Sequence, residues 1–112
     1  MEMRVSGFDG ATLVAFTGRL NTVGVGDIEA RFIEAITPKA RPTIVDLQEV
    51  DFLASVGIRM LISAARALAE KGARLALCNA SPGVLEVIES TSLMEIIPLA
   101  DSPAEALELI VS

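Results

Sequence analysis

The sequence predicts a single α/β domain with a mixed, mostly parallel sheet and the element order ββαβαβαβα. Its 112 residues suit one compact domain. Short β-branched apolar segments alternate with segments of helical periodicity, and an Asp9-Gly10 turn signal joins the first two strands. Because right-handed crossovers place successive parallel strands side by side, we expect residues 1–112 to form one domain with a single sheet, and its helices to lie on one face if the winding never reverses.

The first half of the chain predicts a hairpin, a helix and a buried strand. Residues 3–6 and 11–17 read as the hairpin strands, and residues 43–47, after Pro42, as a third strand. Between them the apolar residues recur at helical spacing and predict the first helix. They are Val25, Ile28, Phe32, Ala35 and Ile36.

The second half begins with the most regular helical segment, which starts at Ser55 and is closed by Lys71-Gly72. Its predicted buried stripe consists of Ile58, Leu61, Ile62, Ala65, Leu68 and Ala69. On a third side, Met60, Ala64 and Ala67 suit either an apolar contact patch or packing beneath a neighbouring helix.

The remaining residues predict two strands and two helices. Residues 75–78 read as a fourth strand, and Ser81-Pro82 as the start of a third helix. Residues 96–97 read as a short edge strand that ends at Pro98. Residues 102–105 form a capping-box sequence, which predicts the start of the last helix.

Composition argues against several classes of function. The net charge is -6 and basic residues are scattered, so nucleic acid and anionic membrane surfaces are poor partners. No apolar stretch is long enough to span a bilayer and the amino terminus lacks a signal-peptide profile, so we expect a cytoplasmic protein. Without histidine and with only Cys78, we expect no metal site, no internal disulfide and a packed rather than redox-active thiol.

Two polar segments follow predicted strands and should meet at one edge of the sheet, residues 18–21 and residues 51–57. Ser55 has the side chain and position of a helix N-cap, a role that contributes about 1 kcal/mol. The same hydroxyl is also a candidate phosphoacceptor, because a phosphate is tolerated at a helix amino terminus. The two roles are compatible.

Residues 45–47 and 50–58 resemble the central motif of STAS domains, the family of anti-sigma factor antagonists and of the cytoplasmic tails of sulphate transporters. The resemblance runs nearly from end to end. It includes the hairpin, residues 17–21, the Ser55 segment, and residues 98–100 with 102–107, all in order.

The resemblance implies a right-handed (βα) superhelix and a non-enzymatic bacterial switch that needs no cofactor. In such antagonists the serine that matches Ser55 is phosphorylated by an anti-sigma factor serine kinase of the histidine-kinase ATPase type. The unphosphorylated form sequesters that kinase and frees the sigma factor, and a PP2C-type phosphatase restores it. The implied partner-binding residues are Asn21, Ala54, Ser55, Val56, Gly57 and Arg59.

Three departures from the family pattern keep an alternative open. Ala54 stands where the family commonly has an acidic residue before the serine, and Val56 stands where it has a second serine or threonine. Asn21 stands where the family usually has an aspartate near the first helix. The alternative is a non-phosphorylated scaffold or adaptor subunit of the same fold. A receiver-type domain fits less well, because the first strand ends without clustered acids and no lysine follows Leu77. A serine hydrolase fits no better, because Ser55 has neither a histidine base nor the glycine-flanked elbow of a hydrolase.

Overall fold

A computed structural model of the protein describes residues 1–111. The described residues form five strands: β1 (Glu2–Phe8), β2 (Ala11–Leu20), β3 (Thr43–Leu53), β4 (Leu75–Cys78) and β5 (Leu99–Ala100). They also form five helices: α1 (Thr22–Ile36), α2 (Ser55–Ala69), α3 (Pro82–Glu89), α4 (Leu93–Ile96) and α5 (Pro103–Ile110).

The sheet has the strand order β1-β2-β3-β4-β5, so each strand pairs with its neighbour in sequence. β1 and β2 are antiparallel, and the other pairs are parallel. Asp9 and Gly10 take φ values of 49° and 85°, which is the geometry that a two-residue hairpin turn requires. The predicted mixed sheet with consecutive strands is confirmed.

Helices cover both faces of this sheet, so the prediction of one covered face is wrong. The larger core cluster joins one face to α1, α2, α3 and α4. A second cluster joins Ile44, Ala76 and Cys78 of the opposite face to Ala106 and Ile110 of α5. Because alternate residues of a strand point to opposite faces, the apolar strands β3 and β4 present apolar side chains on both sides, and each side needs a cover.

The buried face of α2 is rotated relative to the predicted stripe. Its fully buried residues are Gly57, Met60, Leu61, Ala64 and Leu68. Ala69 is exposed, whereas Met60 and Ala64 belong to the core. Met60 and Ala64 therefore pack inside the protein and do not form a contact patch.

The segment before β5 is helical, which contradicts the predicted edge strand at residues 96–97. Residues 93–96 form α4, and the strand begins only after Pro98. The Pro98 carbonyl accepts a hydrogen bond of 2.9 Å from the Leu77 N–H, so the proline enters the ladder as an acceptor. Proline lacks the N–H that a strand interior needs, but it is tolerated at a strand start.

The strands β2 and β3 are longer than predicted. β4 pairs with β3 only from Leu75 to Cys78, opposite Thr43 to Asp46. Beyond that point β2 and β3 continue as a pair to Leu20 and Leu53, with two register shifts along the way. Residues 18–20 and 51–53 are therefore strand and not loop, and they form a two-stranded arm past the end of β4.

Local end signals are confirmed at α2 and α5. At the end of α2 the Gly72 and Ala73 N–H groups bond the carbonyls of Ala69 and Leu68, with Gly72 at φ 81°. The Ser102 hydroxyl accepts a hydrogen bond of 3.2 Å from the Glu105 N–H.

Cys78 is fully buried, and burial together with the nearby charge of Asp46 raises the pKa of its thiol to about 12.

Candidate functional site

The carboxyl ends of β2 and β3 bring the starts of α1 and α2 together. Leu20 pairs with Leu53, and the Ala54 N–H donates a hydrogen bond of 3.0 Å to the Leu20 carbonyl. One residue, Asn21, separates β2 from α1, and one residue, Ala54, separates β3 from α2. The prediction that these two segments are neighbours is confirmed.

Two glycines permit this close approach of helices and strands. A Cβ on Gly57 would lie 2.8 Å from Leu53 Cδ1 and 3.0 Å from both Cβ and the carbonyl oxygen of Leu20. A Cβ on Gly24 would overlap the Arg19 carbonyl oxygen. Gly24 and Gly57 therefore set how tightly α1 and α2 sit on the end of β2.

Asn21 is the N-cap of α1, whereas Ser55 does not cap α2. The Asn21 side chain accepts a hydrogen bond of 2.9 Å from the Gly24 N–H. At α2 the capping position belongs to Ala54, and Ser55 is the first helical residue. The N-cap role predicted for Ser55 is wrong because β3 extends to Leu53, which leaves only Ala54 between strand and helix.

The Ser55 side chain is exposed. Within residues 1–111 its hydroxyl makes no hydrogen bond, and no carbonyl accepts from the N–H groups of Ser55 or Val56. The first helical hydrogen bonds start one residue later, where Gly57 and Ile58 donate to the Ala54 carbonyl. A helix start with free N–H groups favours negative charge, so Ser55 combines a reachable hydroxyl with a local environment that suits an anion.

The β2–β3 arm, which leads into α1 and α2, carries an exposed aromatic side chain and a cation. The Arg19 guanidinium carbon lies 4.4 Å from the centre of the Phe52 ring, a cation–π contact. Phe52 is 39% exposed and Val23, at the start of α1, is 72% exposed. We call Arg19, Asn21, Val23, Phe52, Ser55 and Arg59 the Ser55 surface.

The structure brings the six predicted site residues to this same edge with different exposure. Ser55 and Arg59 are exposed, and Arg59 lies one helical turn from Ser55 on the same side of α2. Asn21, Ala54 and Val56 are half-buried. Gly57 is buried, so it shapes the surface from beneath.

Sequence reasoning placed Arg19 and Phe52 in the two segments that meet here but assigned them no site role, and it missed Val23 and, beneath the surface, Gly24. Phe52 lies between the exposed Asp51 and the buried Leu53, so it falls on the outward side of β3. Strand alternation could have identified Phe52 once β3 was known to continue past residue 47. Helical spacing could have placed Gly24 on the buried side of α1, four residues before Ile28, but its close approach to Arg19 depends on the end of β2.

No group of three or more His, Cys, Asp or Glu residues within residues 1–111 is arranged to hold a metal ion. Among the same residues, no helix combines the length and hydropathy needed to cross a bilayer. What the Ser55 edge does offer is one exposed hydroxyl, two backbone donors without a partner in the described part of the chain, and partly apolar surroundings. Such an edge can accept a phosphoryl group and can contact another protein.

The fold and this edge define a small α/β domain with an exposed hydroxyl at the start of its central helix. The family model described as STAS domain matches residues 2–106. The chain therefore belongs to the STAS domain family, and the fold expected from the resemblance is confirmed.

Relatives with names and solved structures agree with this placement. A Bordetella bronchiseptica protein that bears the name anti-sigma factor antagonist BtrV is 28% identical over 91% of this chain and 88% of its own length. An anti-sigma-factor antagonist (STAS) domain protein of Planctomyces limnophilus has a TM-score of 0.84 at 28% identity, covering 96% of this chain and 95% of its own. An anti-sigma factor antagonist of Mycobacterium paratuberculosis has a TM-score of 0.86 at 25% identity, covering 99% and 94%.

Proposed function

We propose that this protein is an anti-sigma factor antagonist that works as a phosphorylation-controlled binding switch. Unmodified, it sequesters an anti-sigma factor serine kinase of the histidine-kinase ATPase type. Phosphorylated on Ser55, it releases that kinase. The names of its relatives support the first part of the proposal. The exposed Ser55 hydroxyl, with no hydrogen bond within residues 1–111, is the single observation that carries the second part.

The Ser55 surface has the composition of a protein-binding site. It combines an aromatic ring, an exposed aliphatic side chain and two arginines around one small hydroxyl. Aromatic and arginine side chains are enriched at the centres of protein interfaces, where they contribute most of the binding energy. Ser55 follows Phe52 by three residues at the junction of β3 and α2, so a partner docked at this junction lies beside the hydroxyl.

Phosphate on Ser55 would change this surface without disturbing the fold. It adds about two negative charges and three acceptor oxygens at neutral pH. The free N–H groups of Ser55 and Val56 and the cationic side chain of Arg59 favour that charge in the free protein. In a docked complex the same dianion would have to lose its water beside apolar groups, which opposes binding.

The partner supplies the chemistry of transfer. The chain contains no histidine, and Ser55 has no hydrogen-bonded base within residues 1–111. In the proposed reaction the Ser55 oxygen attacks the terminal phosphorus of ATP, its proton passes to a base of the kinase, and ADP leaves. A PP2C-type phosphatase reverses the modification by hydrolysing the phosphate ester with water.

The test is to incubate the protein with its cognate kinase and ATP and to count added phosphates by intact mass. Ser63 provides a matched control, because it is also an exposed serine on α2. We expect one phosphate on the native chain and on Ser63→Ala, and none on Ser55→Ala. Labelling that persists in Ser55→Ala would contradict the proposed site.

A second outcome would favour the adaptor alternative. If an active cognate kinase binds the protein but adds no phosphate, the switch is wrong and the protein acts as a constitutive scaffold. Ala54 and Val56 are the residues that favour this outcome, because they replace polar neighbours of the serine. In that case Ser55→Ala and Ser55→Glu should bind the partner with equal affinity.

A further inference from the structure

The net charge of the protein is concentrated in its last third. All nine basic residues lie at or before Arg74, and nine of the fifteen acidic residues lie there too. Residues 75–112 therefore contain six acidic residues and no Lys or Arg, which accounts for the whole formal charge of -6. The formal net charge therefore belongs to β4 and the elements that follow it, with one cation nearby, because the Arg74 guanidinium donates a hydrogen bond of 3.0 Å to the Leu109 carbonyl.

Three of these carboxylates line a groove between β5 and α5. The groove has a volume of about 410 Å³, and its walls are Leu99, Ala100, Asp101, Glu105, Glu108 and Leu109. Asp101, Glu105 and Glu108 are exposed, and within residues 1–111 none of them forms an ion pair. Glu105 accepts a hydrogen bond of 3.3 Å from the Asp101 N–H, and this bond leaves all three residues exposed.

The same groove offers apolar surface. Leu109 is 45% exposed, and Leu99 is half-buried beside it. Ala100, also half-buried, completes the apolar part of the wall. A partner that covers this surface can therefore bury apolar area as well as pair charges.

The open edge of β5 adds unpaired backbone groups. The carbonyls of Pro98 and Ala100 accept from the Leu77 and Asn79 N–H groups, at 2.9 and 3.3 Å. Because backbone groups alternate in direction along a strand, the N–H and carbonyl of Leu99 point away from β4. Among residues 1–111, β5 is the last strand of the sheet, so these two groups lie at an edge that no other described strand covers.

We propose that the β5–α5 groove docks a basic segment of another protein in extended conformation, with Lys or Arg alternating with apolar residues. Every second side chain of an extended segment faces α5, so the lysines or arginines that reach the carboxylates also cover Leu109 with their methylene groups. Its backbone pairs with Leu99, as in strand addition at a sheet edge. Nucleic acid and anionic lipid would be repelled, and a second copy would bring like charges together.

This surface is separate from the Ser55 surface. It lies on β5, two strands away from β3, which leads into α2. Binding in the groove should therefore be the same in the native chain and in Ser55→Ala. Binding of a peptide in the groove therefore tests this proposal whether or not phosphorylation of Ser55 controls partner binding.

A short synthetic peptide of alternating lysine and valine is the probe, titrated at low salt into the full ¹⁵N-labelled chain. We expect amide shifts confined to residues 99–101 and 105–109. The double variant Glu105→Gln with Glu108→Gln should weaken binding about tenfold, a change of about 1.4 kcal/mol. The matched double variant Glu86→Gln with Glu89→Gln removes the same charge from α3, outside the groove, and should change affinity by about twofold or less.

Three results would overturn the proposal. The first is no detectable binding of the peptide at low salt. The second is an equal loss of affinity in the two double variants, or shifts spread over α3 as well, because either would mean non-specific attraction to the acidic segment. The third is unchanged binding of the same peptide after N-methylation of alternate backbone nitrogens, which keeps the charge and removes the donors that strand addition needs.

Discussion

Replacement of Gly24 by alanine tests the packing that places the Ser55 surface. The added methyl would overlap the Arg19 carbonyl oxygen, so either α1 or the end of β2 must move. Overpacking of this kind costs about 1–3 kcal/mol, and displacement of the Gly24 N–H from Asn21 removes a cap worth about 1 kcal/mol. Alanine regains about 1 kcal/mol of helix propensity, so we expect a net destabilisation of about 2 kcal/mol.

Gly26→Ala is the matched control in the same helix. A Cβ on Gly26 would meet nothing within 4 Å, so that variant gains helix propensity without a clash and should be about 0.5–1 kcal/mol more stable. Thermal unfolding followed by far-ultraviolet circular dichroism measures both variants. A loss of about 2 kcal/mol lowers Tm by about 8 °C in a domain of this size. If the Gly24→Ala variant proved as stable as the Gly26→Ala variant, the close approach of α1 to β2 would be refuted.

Three further predictions concern caps and the buried thiol. Asn21→Ala should lower the free energy of unfolding by about 1 kcal/mol, whereas Ser55→Ala should change it by less than about 0.5 kcal/mol. Urea unfolding midpoints measure both variants, and a larger loss of stability in Ser55→Ala than in Asn21→Ala would contradict the assignment of the caps. Ser102→Ala should lower the free energy of unfolding by about 1 kcal/mol, again measured by urea unfolding. An unchanged urea midpoint would mean that the hydrogen bond from the Glu105 N–H to the Ser102 hydroxyl contributes nothing to stability. The pKa of Cys78 is raised by burial from 9.0 to about 12, so the unfolded chain loses this proton first, and stability falls by about 1.4 kcal/mol per pH unit between those values. Cys78→Ala should remove this fall of stability with pH. An equally steep loss of stability at alkaline pH in the variant would mean that the Cys78 thiol is not its cause.

Where sequence and structure agree, the signal is local. The Asp9-Gly10 turn, strand β4, the start of α3 at Ser81-Pro82 and the cap of α5 each follow from a few adjacent residues. Turn geometry, β-branched runs and capping chemistry act over the same short range. These elements were predictable because no distant contact is needed to specify them.

The errors arise where a distant contact decides the outcome. β3 continues through Gln48, Glu49 and Asp51 because β2 pairs with it, although polar residues of this kind favour a loop. That extension shifts the cap of α2 from Ser55 to Ala54. Helical periodicity likewise shows that α5 has an apolar side, but not which face of the sheet that side covers.

The candidate site was predictable in its centre and not in its surround. Ser55 follows from its place between an apolar strand and an amphipathic helix, and its exposure agrees with that placement. The contact between Arg19 and Phe52 joins two strands far apart in sequence, so it becomes visible only with the β2–β3 register. The role of Gly24 beneath Asn21 likewise depends on a neighbouring strand.

The most direct test of the proposed switch compares one partner's affinity for two forms of the protein. The unmodified chain and the chain phosphorylated on Ser55 are titrated into the cognate anti-sigma factor kinase by calorimetry. We predict that phosphate weakens binding at least about tenfold, which corresponds to about 1.4 kcal/mol. Equal affinities for the two forms would contradict the claim that charge at Ser55 controls partner binding.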